Sequence, residues 1–491
     1  MNQISIGRNY IFNVISSVTT LLFPLVTFPY ASRILLADGI GEVAFFKSII
    51  SYVTIFSALG LPLYAIREIA NVKEDKKTCS KVAVEIIILH SLLTLIGYVV
   101  VGVFCISEEK IYQNISLFLL LSTSIFFNAI GAIWFYQGIE DFKYITIRGI
   151  VVRIASMILL FSTVKTKSDL MYYAAANVIA EGGGNIFNFI RLRKYIKYDE
   201  IRFCEIDFLR HLKPTFKTFA LSVSTSIYLH LDSVMLGFLG TDDAVGFYTA
   251  ANSIVRTSMT VVISLGSVIL PRLSNLASCS QSDEFEKLVK KIMNFGLLTS
   301  IPMAAGLIIL AAPVLRLFCG PHFSPSILTT QIMSPIIIAV TLSCFMMPVL
   351  YACKLERIPL LATIVGALVN IVLNFLFIPK YLTSGAAFAT LTAEIIVVIL
   401  MFILGRKYIC WGISLKRIIT YIIGTIFMVI VLLLCRLYLS MMNDVITLLL
   451  CLPIGVLAYF SYLYFQKETL VLEIVNKKMK FNLIIKKNKR G

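Results

Sequence analysis

The sequence predicts an all-α polytopic membrane protein with about 14 transmembrane helices, folded as two pseudo-symmetric six-helix lobes plus two C-terminal helices. Composition, the placement of basic residues and an internal repeat each point there. Of the 491 residues, 58% are hydrophobic and 14% charged, where a soluble globular chain carries about a quarter charged residues. The mean hydropathy is +0.88. About fourteen apolar stretches are long enough to cross a bilayer, for which roughly 20 residues suffice.

The first apolar run, about 9–29, is longer than a signal-peptide core and lacks a small-residue cleavage site, so it reads as the first membrane helix. The rest of the first lobe is expected at 43–66, 82–105, 115–136, 148–164 and 171–190, followed by a basic cytoplasmic connection to about 214. The second lobe is expected at 215–239, 247–271, 292–314, 330–353, 358–379 and 385–405. Two further helices, about 417–437 and 445–465, precede a Lys-rich tail. The corresponding domains are 1–212, 213–405 and 406–491. The longest outward connection, about 314–329, leaves no room for an extracytoplasmic domain.

Numbering the connections alternately sorts the 44 Lys and Arg residues. Thirty-four fall on the side that holds both termini, among them Arg67, Arg148 and the eight from Arg191 to Lys217. Only seven fall on the other side: Arg33, Lys110, Lys165, Lys167, Arg316, Lys380 and Arg436. This is the positive-inside pattern, so both termini are expected in the cytoplasm. The net charge of +17 then reads as topology signal and contact with anionic lipid headgroups, with no nucleic-acid partner. Lys47, Arg153 and Arg256 remain, inside or at the mouth of membrane segments.

The repeat is visible at a constant offset of 205. Asp38-Gly39-Ile40-Gly41, followed by Ser48-Ile49, matches Asp243-Ala244-Val245-Gly246, followed by Ser253-Ile254. Each falls in the outward turn between the first two helices of its half, and Arg67 matches Arg272 at the cytoplasmic end of the second. A weaker echo pairs Gly149-x-x-x-Arg153 with Gly366-x-x-x-Asn370 in the fifth helices. Six helices per half preserve orientation, the parallel-repeat arrangement of some transporters.

Several chemistries find no support. There is no Walker-type phosphate loop, and Gly39-x-Gly41-x-x-Ala44 lies between membrane helices without the βαβ setting of a dinucleotide site. The ten cysteines include no C-x-x-C pair, and His90, His211, His230 and His322 are scattered, so no metal or cofactor is expected. No nucleophile–base arrangement stands out, and the chain does not read as an enzyme. Gly182-Gly183-Gly184 in the sixth helix marks close packing or a kink. Pro24, Pro29, Pro214, Pro271 and Pro302 interrupt or precede helices and are candidate hinges for alternating access.

A charge at the bilayer centre costs on the order of 2.5–3.5 kcal/mol even on a lenient scale, so such residues face a hydrated cavity, pair, or bind something. Arg33 closes the first helix and Lys47 opens the second; both lie near helix ends, where an interfacial or ion-paired role accounts for them equally well. Arg153 lies about one turn inside the fifth helix and Arg256 about a third of the way down the eighth. Their acidic counterparts are Glu85, Glu181, Asp232 and Glu394. Glu85, four residues beyond Lys81, reads as structural; Arg153, Asp232 and Arg256 read as cavity lining. A cavity lined by Arg and Lys suits an anion such as a pyrophosphate, which guanidinium groups match in a bidentate manner.

Four segments in order carry a resemblance: Pro29-Tyr30-Ala31-Ser32-Arg33-Ile34-Leu35, Trp134-Phe135-Tyr136-Gln137-Gly138-Ile139-Glu140-Asp141-Phe142, Leu231-Asp232 through Met235-Leu236-Gly237 to Val245-Gly246-Phe247-Tyr248, and Leu270-Pro271-Arg272-Leu273-Ser274. Over about residues 1–465 the chain resembles the Wzx-type O-antigen and capsule flippases. These form the polysaccharide-transporter branch of the multidrug/oligosaccharidyl-lipid/polysaccharide exporter superfamily. It departs at Leu36-Ala37, where the family often has a glycine after the leucine.

The resemblance implies a V-shaped pair of lobes around a central cavity. It also implies transfer of an undecaprenyl-pyrophosphate-linked oligosaccharide repeat unit across the bacterial inner membrane, by alternating access coupled to an ion. Arg33, Lys47, Arg153 and Arg256 would line the cavity for the substrate. Asp232, Glu181 and Glu394 would couple the ion. The implied partners are the lipid-linked oligosaccharide, membrane lipids, and a polysaccharide polymerase with its chain-length regulator. A drug or metabolite cation antiporter of the same superfamily, a membrane polymerase or glycosyltransferase, and a scaffold of the assembly complex are the other readings. The second lacks the large loop or domain such enzymes need.

Overall fold

Helices follow one another along the whole chain, and their lengths reflect a membrane rather than a globular core. A computed structural model describes residues 6–196, 206–278, 282–439 and 442–473. Residues 197–205 of the basic connection and the Lys-rich tail beyond 473 lie outside the described residues. Contacts divide the chain into two compact units, residues 1–249 and 250–491.

In the first unit, α1 (Ile6–Ala58) is 53 residues long. At 1.5 Å per residue it would extend ~80 Å, more than twice the ~30 Å hydrocarbon core. It breaks at Leu36 (φ 60°, ψ −169°) into two helical limbs, and its length is sufficient for two crossings. That backbone region disfavours a side chain and costs about 1–3 kcal/mol. Then come α2 (Leu61–Val72), α3 (Lys76–Ser107), α4 (Glu109–Gln113), α5 (Ile115–Gly131), α6 (Ile133–Gly138) and α7 (Phe142–Thr163). Ala132, at φ 39°, separates α5 from α6 within one expected helix. α8 (Leu170–Val178) and α9 (Gly184–Leu192) are joined by a π-helical turn over Ile179–Gly183. A 3₁₀ turn at Phe208–His211 leads into α10 (Leu212–Leu239), and α11 (Asp242–Ser278) carries on past the unit boundary.

The Trp134-Phe135-Tyr136 segment is core. All three side chains are buried with Leu61, Ile69 and Ile86, and the Tyr136 hydroxyl donates to the Asn188 carbonyl at 2.7 Å. Asp141 caps α7 by accepting from the Tyr144 N–H. The outward face of α3 exposes Leu95, Ile96, Val99 and Val103, as a lipid-facing helix does. Glu85, read as structural, is indeed buried, but its partners are distant in sequence. Its carboxylate accepts from the Asp207 N–H at 2.9 Å and from Arg210 at 2.5 Å, and meets His211 at 3.0 Å. It therefore clips the start of α10 to α3.

The second unit continues with α12 (Ser282–Cys319), α13 (Ser326–Met333), α14 (Ile336–Ala352), α15 (Arg357–Gly405), α16 (Leu415–Tyr438) and α17 (Asp444–Phe465). α15, at 49 residues, bends at Leu382 (φ 48°) and is likewise long enough for two crossings. The connection expected between 271 and 292 is largely helical, because α11 runs to Ser278 and α12 starts at Ser282. Asp283 and Glu284 lie in the first turn of α12, favourable at a helix N-terminus, and Glu286 pairs with Lys290 one turn on at 3.7 Å. Among the described residues nine helices are long and apolar enough to cross a membrane. The chain is an all-α, multi-pass membrane protein.

Candidate functional site

In the first unit the Lys47 Nζ of α1 forms an ion pair with the Glu181 carboxylate of the π-turn. The side chains are 34% and 57% exposed, so the pair borders accessible space. Arg153 of α7 is within electrostatic reach of Glu181. A π-turn inserts one extra residue into a helix and is frequent at functional sites; here it carries Glu181 among the two cations. Lys47, Arg153 and Glu181 were each singled out from sequence, and the fold brings them together.

Arg148 belongs beside them, although its position near a helix start had sorted it with the cytoplasmic topology signals. Its Nη1 donates to the Asn185 Oδ1 at 3.2 Å, and Asn185 is tied to the Phe127 carbonyl at 2.8 Å. The signal that could have found it is the pairing of an arginine on the fifth helix with the Gly182-Gly183-Gly184 run on the sixth. A Cβ at Gly184 would stand 3.0 Å from the Arg148 Nε.

Asp232 is buried at 6% exposure, and Tyr248 donates its hydroxyl to it at 2.5 Å. Tyr52 of α1 is within electrostatic reach, and its ring meets that of His230 edge-on at 6.2 Å. Asp232 thus has aromatic residues, Tyr248 and Tyr52, around it. Arg33 is exposed on α1, three residues before the bend at Leu36.

In the second unit Arg256 is exposed on α11, and its Nε donates to the Asn252 Oδ1 one turn back at 2.9 Å. At the offset of 205, Asn252 stands where Lys47 stands in the first repeat. Glu394 is 7% exposed on the second limb of α15. One turn before it, Thr390 accepts from the Asn370 Nδ2 at 3.3 Å, and Asn374 donates to the Asn370 Oδ1 at 3.2 Å. Glu181 and Glu394 hold corresponding places: each lies on the sixth helix of its half beside the fifth, where Arg153 corresponds to Asn370. The first acid has cationic neighbours, whereas among the described residues no basic side chain pairs with the second.

A multi-crossing helical membrane protein with cations gathered around one carboxylate is the class that the fold and site define. The chain matches the polysaccharide biosynthesis protein family over residues 6–277, more than half its length, and it belongs to that family. Residues 218–376 also match the MatE family. It is 25% identical over 347 residues to a protein of Escherichia coli (strain K12) named "Putative O-antigen transporter", covering 70% of this chain and 82% of that protein. A protein of the same name from Shigella dysenteriae is 25% identical over 305 residues, 62% of this chain and 76% of its own. Among solved structures, the lipid II flippase MurJ in its inward closed conformation superposes with a TM-score of 0.74 at 19% identity, covering 94% of this chain and 99% of that one. That likeness establishes the fold.

Proposed function

We propose that this protein is a flippase carrying an undecaprenyl-pyrophosphate-linked oligosaccharide repeat unit, of O-antigen or capsule, from the cytoplasmic to the periplasmic leaflet of the bacterial inner membrane. Its action is transport rather than catalysis, and both termini are cytoplasmic. The observation that carries the reading is the excess of cation over carboxylate where Lys47 and Arg153 meet Glu181. A hydrated site of that charge attracts a pyrophosphate and repels organic cations. The names of the O-antigen transporter relatives agree with it. The charged, sugar-bearing head passes through the basic cavity while the polyprenyl tail stays in lipid. A polymerase and chain-length regulator receive the product.

Arg33, Lys47, Arg153 and Arg256 contact the head group. Asp232, Glu181 and Glu394 serve ion coupling. Of these, Glu394 suits a bound cation or proton best, because it is buried and forms no ion pair among the described residues. Charge reversal tests the reading. Arg256→Glu and Arg153→Glu are expected to abolish surface polysaccharide at normal protein abundance; unchanged polysaccharide in both removes the anionic-cargo role.

The MatE match over 218–376 favours a second reading, a cation antiporter of the same superfamily. Purified protein in proteoliposomes would then move cationic dyes against an ion gradient, which a pyrophosphate-lipid flippase does not do.

A further inference from the structure

Two arginines on α7 converge on one turn. Arg153 folds back along the helix, so that its Nη1 lies 3.4 Å from the place a Cβ at Gly149 would occupy. Gly149 adjoins Arg148, and the two guanidinium groups are within electrostatic reach of each other. Among the described residues no carboxylate pairs with Arg148; its one hydrogen bond is to the neutral Asn185. Glu181, the acid near Arg153, is already engaged by Lys47.

One buried donor in this neighbourhood, the Arg148 Nε, has no hydrogen-bond partner among the described residues. Arg191 shows what satisfaction looks like close by. It pairs with Asp141 at 2.9 Å, donates to the Tyr195 hydroxyl at 3.0 Å, and lies over the Tyr144 ring at 3.8 Å, with the Tyr144 hydroxyl in its reach. A buried donor without a partner costs about 1–3 kcal/mol, more when charged, and like charges held together add to that. An oxyanion relieves both costs, and a guanidinium fork matches a phosphate edge. The glycine at 184 clears the space in which the Arg148 group stands.

We infer that Arg148 and Arg153 form a phosphate subsite in the first unit, one that takes the pyrophosphate of the lipid-linked cargo near the cytoplasmic end of α7. The inference rests on the flippase reading. Arg148 lies six residues into α7, ~9 Å along its axis, and Arg153 a further ~7.5 Å on. The pair therefore forms two steps on a path inward from the end assigned to the cytoplasm. The same chemistry would hold a phospholipid headgroup, so the test separates the two sources.

The protein is reconstituted in phosphatidylcholine nanodiscs, and its melting is followed against inorganic pyrophosphate and farnesyl pyrophosphate, then in discs containing phosphatidylglycerol. Both pyrophosphates are expected to raise the melting temperature of the wild type. Arg148→Gln is expected to raise the half-saturating concentration roughly tenfold, the loss of one charge-assisted contact, and Arg148→Lys to recover only part. Gly184→Ala keeps both arginines but crowds Arg148, and is expected to weaken binding in the same direction. Equal protection of wild type and Arg148→Gln overturns the subsite, as does protection by phosphatidylglycerol alone. In cells, Arg148→Gln with full surface polysaccharide, beside an Arg256→Glu that abolishes it, discards the subsite and leaves the flippase reading standing. A gene deletion that leaves polysaccharide intact discards the flippase reading itself.

Discussion

Gly41 and Gly246, equivalent residues of the two repeats, pack against each other's turns. A Cβ on Gly41 would stand 1.8 Å from the Asp242 carbonyl oxygen and 2.7 Å from the Gly246 nitrogen. A Cβ on Gly246 would stand 1.9 Å from the carbonyl oxygen of Ala37, the residue equivalent to Asp242. The contact is reciprocal, as a local pseudo-twofold requires, and the repeated glycines are there for close backbone approach. Lysines hold both turns: Lys167 pairs with Asp38 and Lys110 with Asp242, each at 2.7 Å. These are two of the seven basic residues on the side the sequence leaves poor in basic residues, and each has an acidic partner.

Gly41→Ala and Gly246→Ala should therefore each destabilise the protein by about 3 kcal/mol, the cost of overpacking against backbone that cannot yield. Because they share one contact, the double variant should cost less than the two added together. Thermal melting in detergent measures both effects; additive losses would contradict the reciprocal packing.

The Lys47–Glu181 pair is accessible, so its contribution to stability should be about 1 kcal/mol or less. Lys47→Gln should melt near the wild-type temperature yet lose transport. The exchange Lys47→Glu with Glu181→Lys should fold but transport poorly, because it reverses the order of charges beside Arg153. Complementation of a deletion strain, read with protein abundance, checks this.

Glu394→Gln removes the acid while keeping its shape and hydrogen-bonding capacity. Transport is expected to fall at least tenfold and to lose its dependence on the coupling-ion gradient, with melting little changed. Flux in proteoliposomes with and without imposed proton or sodium gradients decides the matter. Persisting gradient dependence would clear Glu394 of the role.

Much of this was legible from sequence because the membrane imposes strong rules. Apolar length set the helices, and desolvation cost marked Lys47, Arg153, Asp232 and Glu394 as unusual. What stayed hidden depends on pairing across long stretches of chain. Glu85 finds Arg210 across 125 positions, and Tyr248 finds Asp232 across an interhelical turn. The π-turn at Ile179–Gly183 leaves no periodic signature in an apolar helix. Arg148 was concealed by the positive-inside rule itself, since an arginine near a helix start reads as a topology signal whatever it touches.

Loss of the Glu85 carboxylate would leave Arg210, His211 and the Asp207 N–H without their shared partner at a buried position. Glu85→Ala should destabilise by about 3 kcal/mol, the usual cost of breaking a buried pair from one side. Limited proteolysis of the connection before α10 should speed up in parallel. Unchanged cleavage would show that the clip does not hold this segment.

Outside the membrane, Asp169 accepts from the backbone N–H groups of Lys165 and Thr166 and from the Thr166 hydroxyl, at 2.7–2.9 Å. The Lys165 N–H bond, followed by those of Thr166, holds its carboxyl below the ordinary carboxylate range. A depressed folded-state value stabilises the fold above the unfolded-state value, and the gain is lost as pH falls through the folded one. Asp169→Asn should lower the melting temperature at pH 7, and the difference should close in strong acid. A gap that stays constant with pH would contradict the assignment.

The most direct test of the central claim is deletion of this gene, with lipid extracts analysed by mass spectrometry and surface polysaccharide stained in parallel. The flippase account predicts that surface polymer disappears while undecaprenyl-pyrophosphate repeat units accumulate, their mass identifying the cargo. Intact polymer with no lipid-linked intermediate, in a strain without a second transporter of this family, would contradict it.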